Sequence, residues 1–165
     1  MITLYLDMDG VLADFHKEYD KIDPKREDRK KFRHAVMEHC IFEKLDFMPD
    51  TQELLNHVSR LQQVEIEILT SMGTFNPEQG SAAKYQKMKW LNAKNIPYPA
   101  NFVRTKTEKA QYADEQSILI DDSVGCISPF NRKGGNGILH TNASNTISLL
   151  DSTIAHIRAL KALRS

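Results

Sequence analysis

Cysteine is scarce in this chain of 165 residues. Its two copies, Cys40 and Cys126, stand far apart and without metal-ligand spacing. That argues against a zinc site or a disulfide framework and for a reducing, cytoplasmic setting. Net charge is missing too: 22 basic side chains balance 22 acidic ones. Bulk electrostatics therefore supplies no pull toward nucleic acid or a membrane surface. Apolar runs are short, none near the roughly 18 residues that a membrane-spanning helix needs. The N-terminus lacks a basic segment leading into a long apolar stretch and a small-residue cleavage site, so no signal peptide is expected. Internal repeats and low-complexity tracts are absent. What is left is a length that suits one domain with a real core and room for a small insertion.

The apolar residues that are present fall into an alternating pattern. Strand-like runs occur at Ile2–Leu6, Val64–Leu69, Phe102–Val103, Ile118–Ile120 and Gly137–His140. Helical periodicity predicts helices over Thr51–Gln63, with Asp50 as N-cap, over Glu78–Asn95 and over Asn145–Leu163. The middle one carries Tyr85, Met88, Trp90 and Leu91 at helical spacing. Strands alternating with helices predict an α/β fold, a parallel sheet with helices on both faces. Residues 16–48 break the pattern: a charged stretch from Asp23 to Lys31 precedes the apolar and aromatic Ile41–Met48. This segment reads as a small helical cap inserted after the first strand, or as a solvated excursion without function. Residues 1–15 and 49–165 then form the core. Gly134-Gly135-Asn136-Gly137 reads as a turn into the last strand, because no helix follows it to cradle a phosphate.

Ligands of open parallel sheets bind outside the carboxyl ends of the strands. Four chemically loaded pieces stand at or beside such ends: Asp7 and Asp9 with Gly10, Thr70-Ser71, Lys109 with Lys106 nearby, and Asp121-Asp122. Two carboxylates one residue apart at a buried strand tip repel unless a cation or a shared proton relieves them. Gly10 permits a positive φ or a close backbone approach. A hydroxyl and free N–H groups at Thr70-Ser71 suit phosphate oxygens, and Lys109 would offset the carboxylates. Carboxylates with neutral oxygen donors and no histidine cluster favour a hard ion, magnesium before zinc. Each piece alone has an ordinary explanation as a turn, a cap or a surface lysine. Together, in this order, they describe a phosphoryl site.

The same residues resemble the four motifs of the haloacid dehalogenase superfamily of phosphohydrolases. Asp7-Met8-Asp9-Gly10-Val11-Leu12 resembles the first motif, Ile68-Leu69-Thr70-Ser71 the second, Lys109 the third and Ile120-Asp121-Asp122 the fourth. Within it the chain is most similar to the 5'(3')-deoxyribonucleotidases and their phage and bacterial relatives, on Asp9–Phe15, Phe47–Asp50, Leu119–Asp122 and Gly134–Thr141. Ser123 departs from the arginine or aromatic residue frequent there.

The resemblance implies a Rossmann-like core and a magnesium-dependent phosphatase working through an aspartyl-phosphate. Asp7 is then the nucleophile, Asp9 the acid and base, and Thr70 and Lys109 the stabilisers of the phosphoryl oxygens. Magnesium would be held by Asp7, the Asp9 carbonyl and Asp121, with Asp122 behind them. Gly10, Ser71, Phe15 and Phe42 would line the substrate, a small phosphate monoester such as a nucleotide. Phe47, Ile41 and Met48 are further candidates for a base-binding wall, or with the others form the insertion's own core. The rivals are a 3'-phosphatase on nucleic-acid ends, using the basic residues Lys25 to Arg33, and a non-catalytic phospholigand-binding module. Interleaved acids at Asp23, Glu27 and Asp28 count against the first rival. A full set of aspartates and the lysine counts against the second.

Overall fold

A computed structural model describes the whole chain, Met1–Ser165. Five parallel strands lie in the order β3-β2-β1-β4-β5: β1 (Ile2–Leu6), β2 (Val64–Ser71), β3 (Ala100–Val103), β4 (Ser117–Asp121) and β5 (Asn136–Leu139). Parallel neighbours cannot be joined by tight turns, so each connection crosses a face of the sheet, and right-handedness decides which one. Steps from β1 to β3 run one way and place α3 (Thr51–Val58) and α4 (Pro77–Ala93) together. The step from β4 to β5 runs the other way and places α5 (Val124–Arg132) opposite. The last helix, α6 (Ala143–Arg164), returns to pack beside α3. This is the expected Rossmann-like α/β sheet covered on both faces. No helix is long and apolar enough to cross a membrane.

Strand alternation sorts the core into two unequal parts. Leu4, Leu6, Ile68, Ile118 and Ile120 point to the α3, α4 and α6 side and join a cluster of 27 buried residues. Leu69 and Leu119 point the other way, to a cluster of six with Cys126, Ile127 and Phe130 of α5. Fully burying each such side chain is worth about 1.5–3 kcal/mol, so the larger side carries most of the stability.

Between β1 and α3 the chain forms α1 (Phe15–Tyr19), α2 (Asp28–Met37) and a 3₁₀ turn at Ile41–Glu43. The two ends of this excursion are zipped together: Asp14 N donates to Asp46 O at 2.9 Å and Met48 N to Leu12 O at 3.0 Å. Its apolar residues Val36, Ile41, Phe42 and Leu45 are buried in the same 27-residue cluster as the sheet. From α4, Gln86 Nε2 donates to Val36 O and Trp90 Nε1 to Leu45 O, both at 2.7 Å. The excursion is therefore seated on α4, not loosely hinged over it.

Element ends differ from the sequence pattern for local reasons. β2 runs on to Ser71, because β3 pairs with it through Thr70↔Phe102 and Ser71↔Val103. Thr70 and Ser71 thus lie inside the strand and face opposite sides. α3 stops at Val58, short of Gln63, which adopts a positive φ of 57°. The Asp50 side chain does not cap α3; it accepts from Ala143 N at the start of α6. In α4 Tyr85 and Met88 are exposed, while Gln86 and Lys87 are buried. α5, absent from the three predicted helices, forms despite Pro129. Its first four N–H groups have no intrahelical partner to lose, but Pro129 lies beyond them and is tolerated by packing of Ile127 and Phe130.

Candidate active site

The strand order reverses between β1 and β4, which is where open α/β sheets form their crevice. Leu6 pairs with Ile120, so Asp7 and Asp121 emerge side by side one step further on. Asp7 N donates to Ile120 O at 3.0 Å, which fixes the two tips to each other. A chain reversal follows, with Leu12 N and Ala13 N both donating to Met8 O. Gly10 sits there at φ +84°, and a Cβ on it would lie 2.1 Å from Asp122 Oδ2. Only glycine satisfies both the backbone sign and the close approach.

One cation bridges the tips. Lys109, on the 3₁₀ helix Lys106–Tyr112, donates from Nζ to Asp7 Oδ1 and to Asp121 Oδ2, both at 2.7 Å. All three groups are buried. Burial works to lower the lysine, but the Asp7 and Asp121 charges outweigh it and hold its ammonium well above the ordinary range. Asp7 goes the same way: burial first, then the Asp121 and Asp9 charges, push it up to about 7 against the pull of Lys109. The two shifts agree, because two carboxylates share one ammonium and one negative charge is left over. Partial desolvation and the Asp121 charge also raise Asp122.

That surplus charge bears on a metal. Carboxylate oxygens of Asp7, Asp121 and Asp122 lie within 4.8 Å of one another. An all-carboxylate set of hard oxygens fits magnesium, and a divalent ion would supply the charge that Lys109 alone leaves unmet. Asp122, expected behind the ligands, thus belongs to the cluster itself. The Asp9 side chain does not join it.

A second buried lysine, which sequence reasoning missed, stands on the other side of the sheet. Lys87 of α4 has no exposed surface. Its Nζ donates to Asp9 Oδ2 at 2.8 Å, Thr70 Oγ1 at 2.7 Å and Ser71 O at 2.8 Å, and lies 4.5 Å from the Phe42 ring centre. The signal available was a lysine one turn before Trp90.

Asp7, Asp9, Asp121, Asp122 and Lys109 open onto one cavity of about 380 Å³, within the range of small-ligand sites. Gly10 and Ser71 also line it, and so do Phe15 and Phe42. Those two rings are stacked with centroids 5.5 Å apart, and Phe15 stacks on Tyr19 at 4.8 Å. The sequence-named residues thus converge, with three exceptions among the aromatic and apolar wall. Phe47 packs edge-on against Trp90 at 5.7 Å, Ile41 is buried in the core, and Met48 does not reach the cavity. Thr70 is likewise fully buried and spends its hydroxyl on Lys87, while its neighbour Ser71 faces the cavity. Tyr19, Phe32, Met72 and Cys126 also line it without having been anticipated. Burial and nearby Asp121 and Asp7 push the Cys126 thiol up to about 12 despite Lys109, so it is inert as a nucleophile.

No protein-family model and no curated protein sequence matches the chain. Among solved structures, a hydrolase from Streptococcus pneumoniae TIGR4 superposes with a TM-score of 0.58 at 16% identity, over 90% of this chain and 97% of that one. The D,D-heptose 1,7-bisphosphate phosphatase from Burkholderia thailandensis superposes at 0.52 and 12% identity, over 92% and 97%. At these identities the likeness is one of fold, and it spans nearly the full length of all the chains.

Proposed function

We propose that the protein is a magnesium-dependent phosphatase of the haloacid dehalogenase type, hydrolysing phosphate monoesters through a phosphorylated Asp7. The observation that carries this reading is the unit of Asp7, Asp121 and Lys109 at the switch point, with Asp122 within metal-sharing distance. Folds shared with a hydrolase and a phosphatase support it.

Asp7 attacks phosphorus through a carboxylate oxygen that Lys109 and the strand tip hold in place. Lys109 keeps Asp7 and Asp121 from repelling each other and supplies positive charge beside the phosphoryl oxygens as charge shifts onto them. Asp9 gives a proton to the departing oxygen and takes one from the water that cleaves the acyl phosphate. Asp7, Asp121 and Asp122, with the Asp9 carbonyl, are the groups to hold magnesium. Bound there, magnesium would screen the negative nucleophile from the negative phosphate. Gly10 and Ser71, which line the cavity, would flank the phosphate.

The substrate we assign is a nucleoside monophosphate, a deoxynucleotide by preference, with its base against Phe15, Tyr19 and Phe32. A cavity of about 380 Å³ suits one such molecule. One observation favours a longer substrate: a second groove shares Tyr19, Phe32 and Gly73 with the site and runs past Arg29 and Phe75, though also past the acidic Asp28. A nucleic-acid 3' end would follow that groove. Phosphate release with magnesium from a panel of nucleotides, sugar phosphates and a 3'-phosphorylated oligonucleotide separates the readings. The wild type should turn over deoxynucleotides fastest and Asp7→Asn should be silent on all of them. Activity in Asp7→Asn would remove the nucleophile, and equal rates across the panel would remove the nucleotide.

A further inference from the structure

His34 and His39 lie outside the catalytic cavity and take no part in the chemistry above. Five residues apart, they would point about 140° away from each other on a continuous helix. They meet because α2 ends between them. Glu38 N and His39 N both donate to His34 O, at 3.0 and 3.2 Å, and Cys40 turns the chain away at φ +47°. The two rings cross at 74° with centroids 4.6 Å apart, and their Nε2 atoms face each other at 2.9 Å. On the far side of His34, Glu38 Oε2 lies 2.9 Å from Nδ1. The two are not aligned as a hydrogen bond, and the buried Nδ1 has no other partner. A carboxylate oxygen and a nitrogen lone pair repel at that distance. Nδ1 therefore carries the hydrogen, and in the neutral ring Nε2 is the bare nitrogen.

We propose that His34 and His39 chelate a late first-row divalent ion through their two Nε2 atoms. Such ions prefer imidazole nitrogen, and a carboxylate behind the ring is the usual support of a ligating histidine. The separation favours one geometry. With metal–nitrogen bonds of about 2.0–2.1 Å, nitrogens 2.9 Å apart subtend about 90° at the ion, the cis angle of an octahedral or tetragonal centre. A tetrahedral ion would need them about 3.3 Å apart. The class is therefore nickel or copper before zinc. His39, an exposed residue, frees its own Nε2 by moving its hydrogen to Nδ1. No third histidine, cysteine or carboxylate stands close enough to join them, so water would complete the coordination. The pair borders a hollow of about 330 Å³ that Glu18, Lys21, Asp23 and Lys44 also line. Its two acids balance its two ammoniums, Lys21 being tied to Glu18 at 2.9 Å, and Glu38 adds a negative charge beside them. α2 also carries Phe32 of the catalytic cavity, so an ion at its end would stiffen one wall of that cavity.

The probe is Ni²⁺, added with magnesium in excess so that the aspartate site is taken. In proton NMR of the full chain the paramagnetic ion should broaden the ring signals of His34 and His39 and leave those of His140 and His156 sharp. By isothermal titration, His34→Gln and His39→Gln should each weaken Ni²⁺ binding by about tenfold or more, at least what loss of a supporting partner costs. Ni²⁺ should also raise the melting temperature of the wild type but not of either variant. Should His34→Gln not fold, His39→Gln, at an exposed position, decides alone. Unchanged affinity in His39→Gln, broadening confined to other residues, or a wild type that takes up no Ni²⁺ while magnesium is bound would each overturn the proposal.

Discussion

Two buried lysines approach the same cavity from opposite faces of one sheet. Lys109 comes from the side of the six-residue cluster and bridges Asp7 and Asp121, the tips of adjacent strands. Lys87 comes from the side of the 27-residue cluster and joins Asp9 to Thr70 and Ser71. The first ammonium is shared by two buried carboxylates, and a surplus negative charge stays in the site. The second is matched by one carboxylate and two neutral oxygens, and its donors are used up. One half of the site is thus left hungry for a cation while the other is closed and rigid. The halves suit opposite tasks: recruiting a metal and phosphate, and holding one carboxyl still.

The largest effect is expected at Lys109. Lys109→Met leaves two buried carboxylates facing each other, and the metal-free protein should lose about 3–5 kcal/mol, read by urea denaturation. Magnesium should restore part of that loss, while phosphatase activity falls about 100-fold or more. Stability that does not change would show that the pair is not a coupled unit. Gly10→Ala comes next. Its Cβ would meet Asp122 Oδ2 at 2.1 Å on a backbone at φ +84°, so a loss of about 1–3 kcal/mol is expected. Isothermal titration should show weaker magnesium binding as well, since Asp122 must move.

Acidity sharpens the same contrast. Asp7 is raised from 3.8 to about 7 in the folded protein. The folded state therefore binds more protons than the unfolded state between those values, and metal-free stability should decline as pH rises through that window. Above it, Asp7 is ionised in both states and the penalty is complete. The metal-free melting temperature should be lower at pH 8 than at pH 5, and magnesium should raise it more at pH 8. The reverse order would contradict the surplus charge. The smallest effect is expected at Met88, exposed on α4 one residue beyond Lys87. Met88→Gln should shift stability by less than about 0.5 kcal/mol, read by the same urea denaturation.

The Lys109 half was legible in the sequence because it is written in strand tips. Apolar runs that end in acid, Leu6-Asp7 and Ile120-Asp121, announce themselves without any knowledge of packing. The sheet followed from the same runs. The Lys87 half was hidden because helical periodicity ranks residues by hydropathy. On α4 it selects Tyr85 and Met88, which are exposed, over Gln86 and Lys87, which are buried. Those two are inside because polar partners from the excursion and from Asp9 await them, and a pattern of apolar positions carries no trace of partners. The same blindness explains Thr70, whose place inside β2 is set by its register with Phe102. Aromatic content was legible, but not its division: Phe15 and Phe42 face the cavity and Phe47 meets Trp90. Nothing in composition separates those roles.

The zipped neck at Asp14–Asp46 gives the molecule a modular seam. A segment that leaves and returns through one gap can change length at little entropic expense, about 0.6 kcal/mol for each doubling. Grafts exchanged between those two aspartates would reshape the roof of the cavity and spare the floor, on condition that they bring apolar cover for Trp90 and a carbonyl for its indole. The roof and the floor of the cavity are, in this fold, separate stretches of chain.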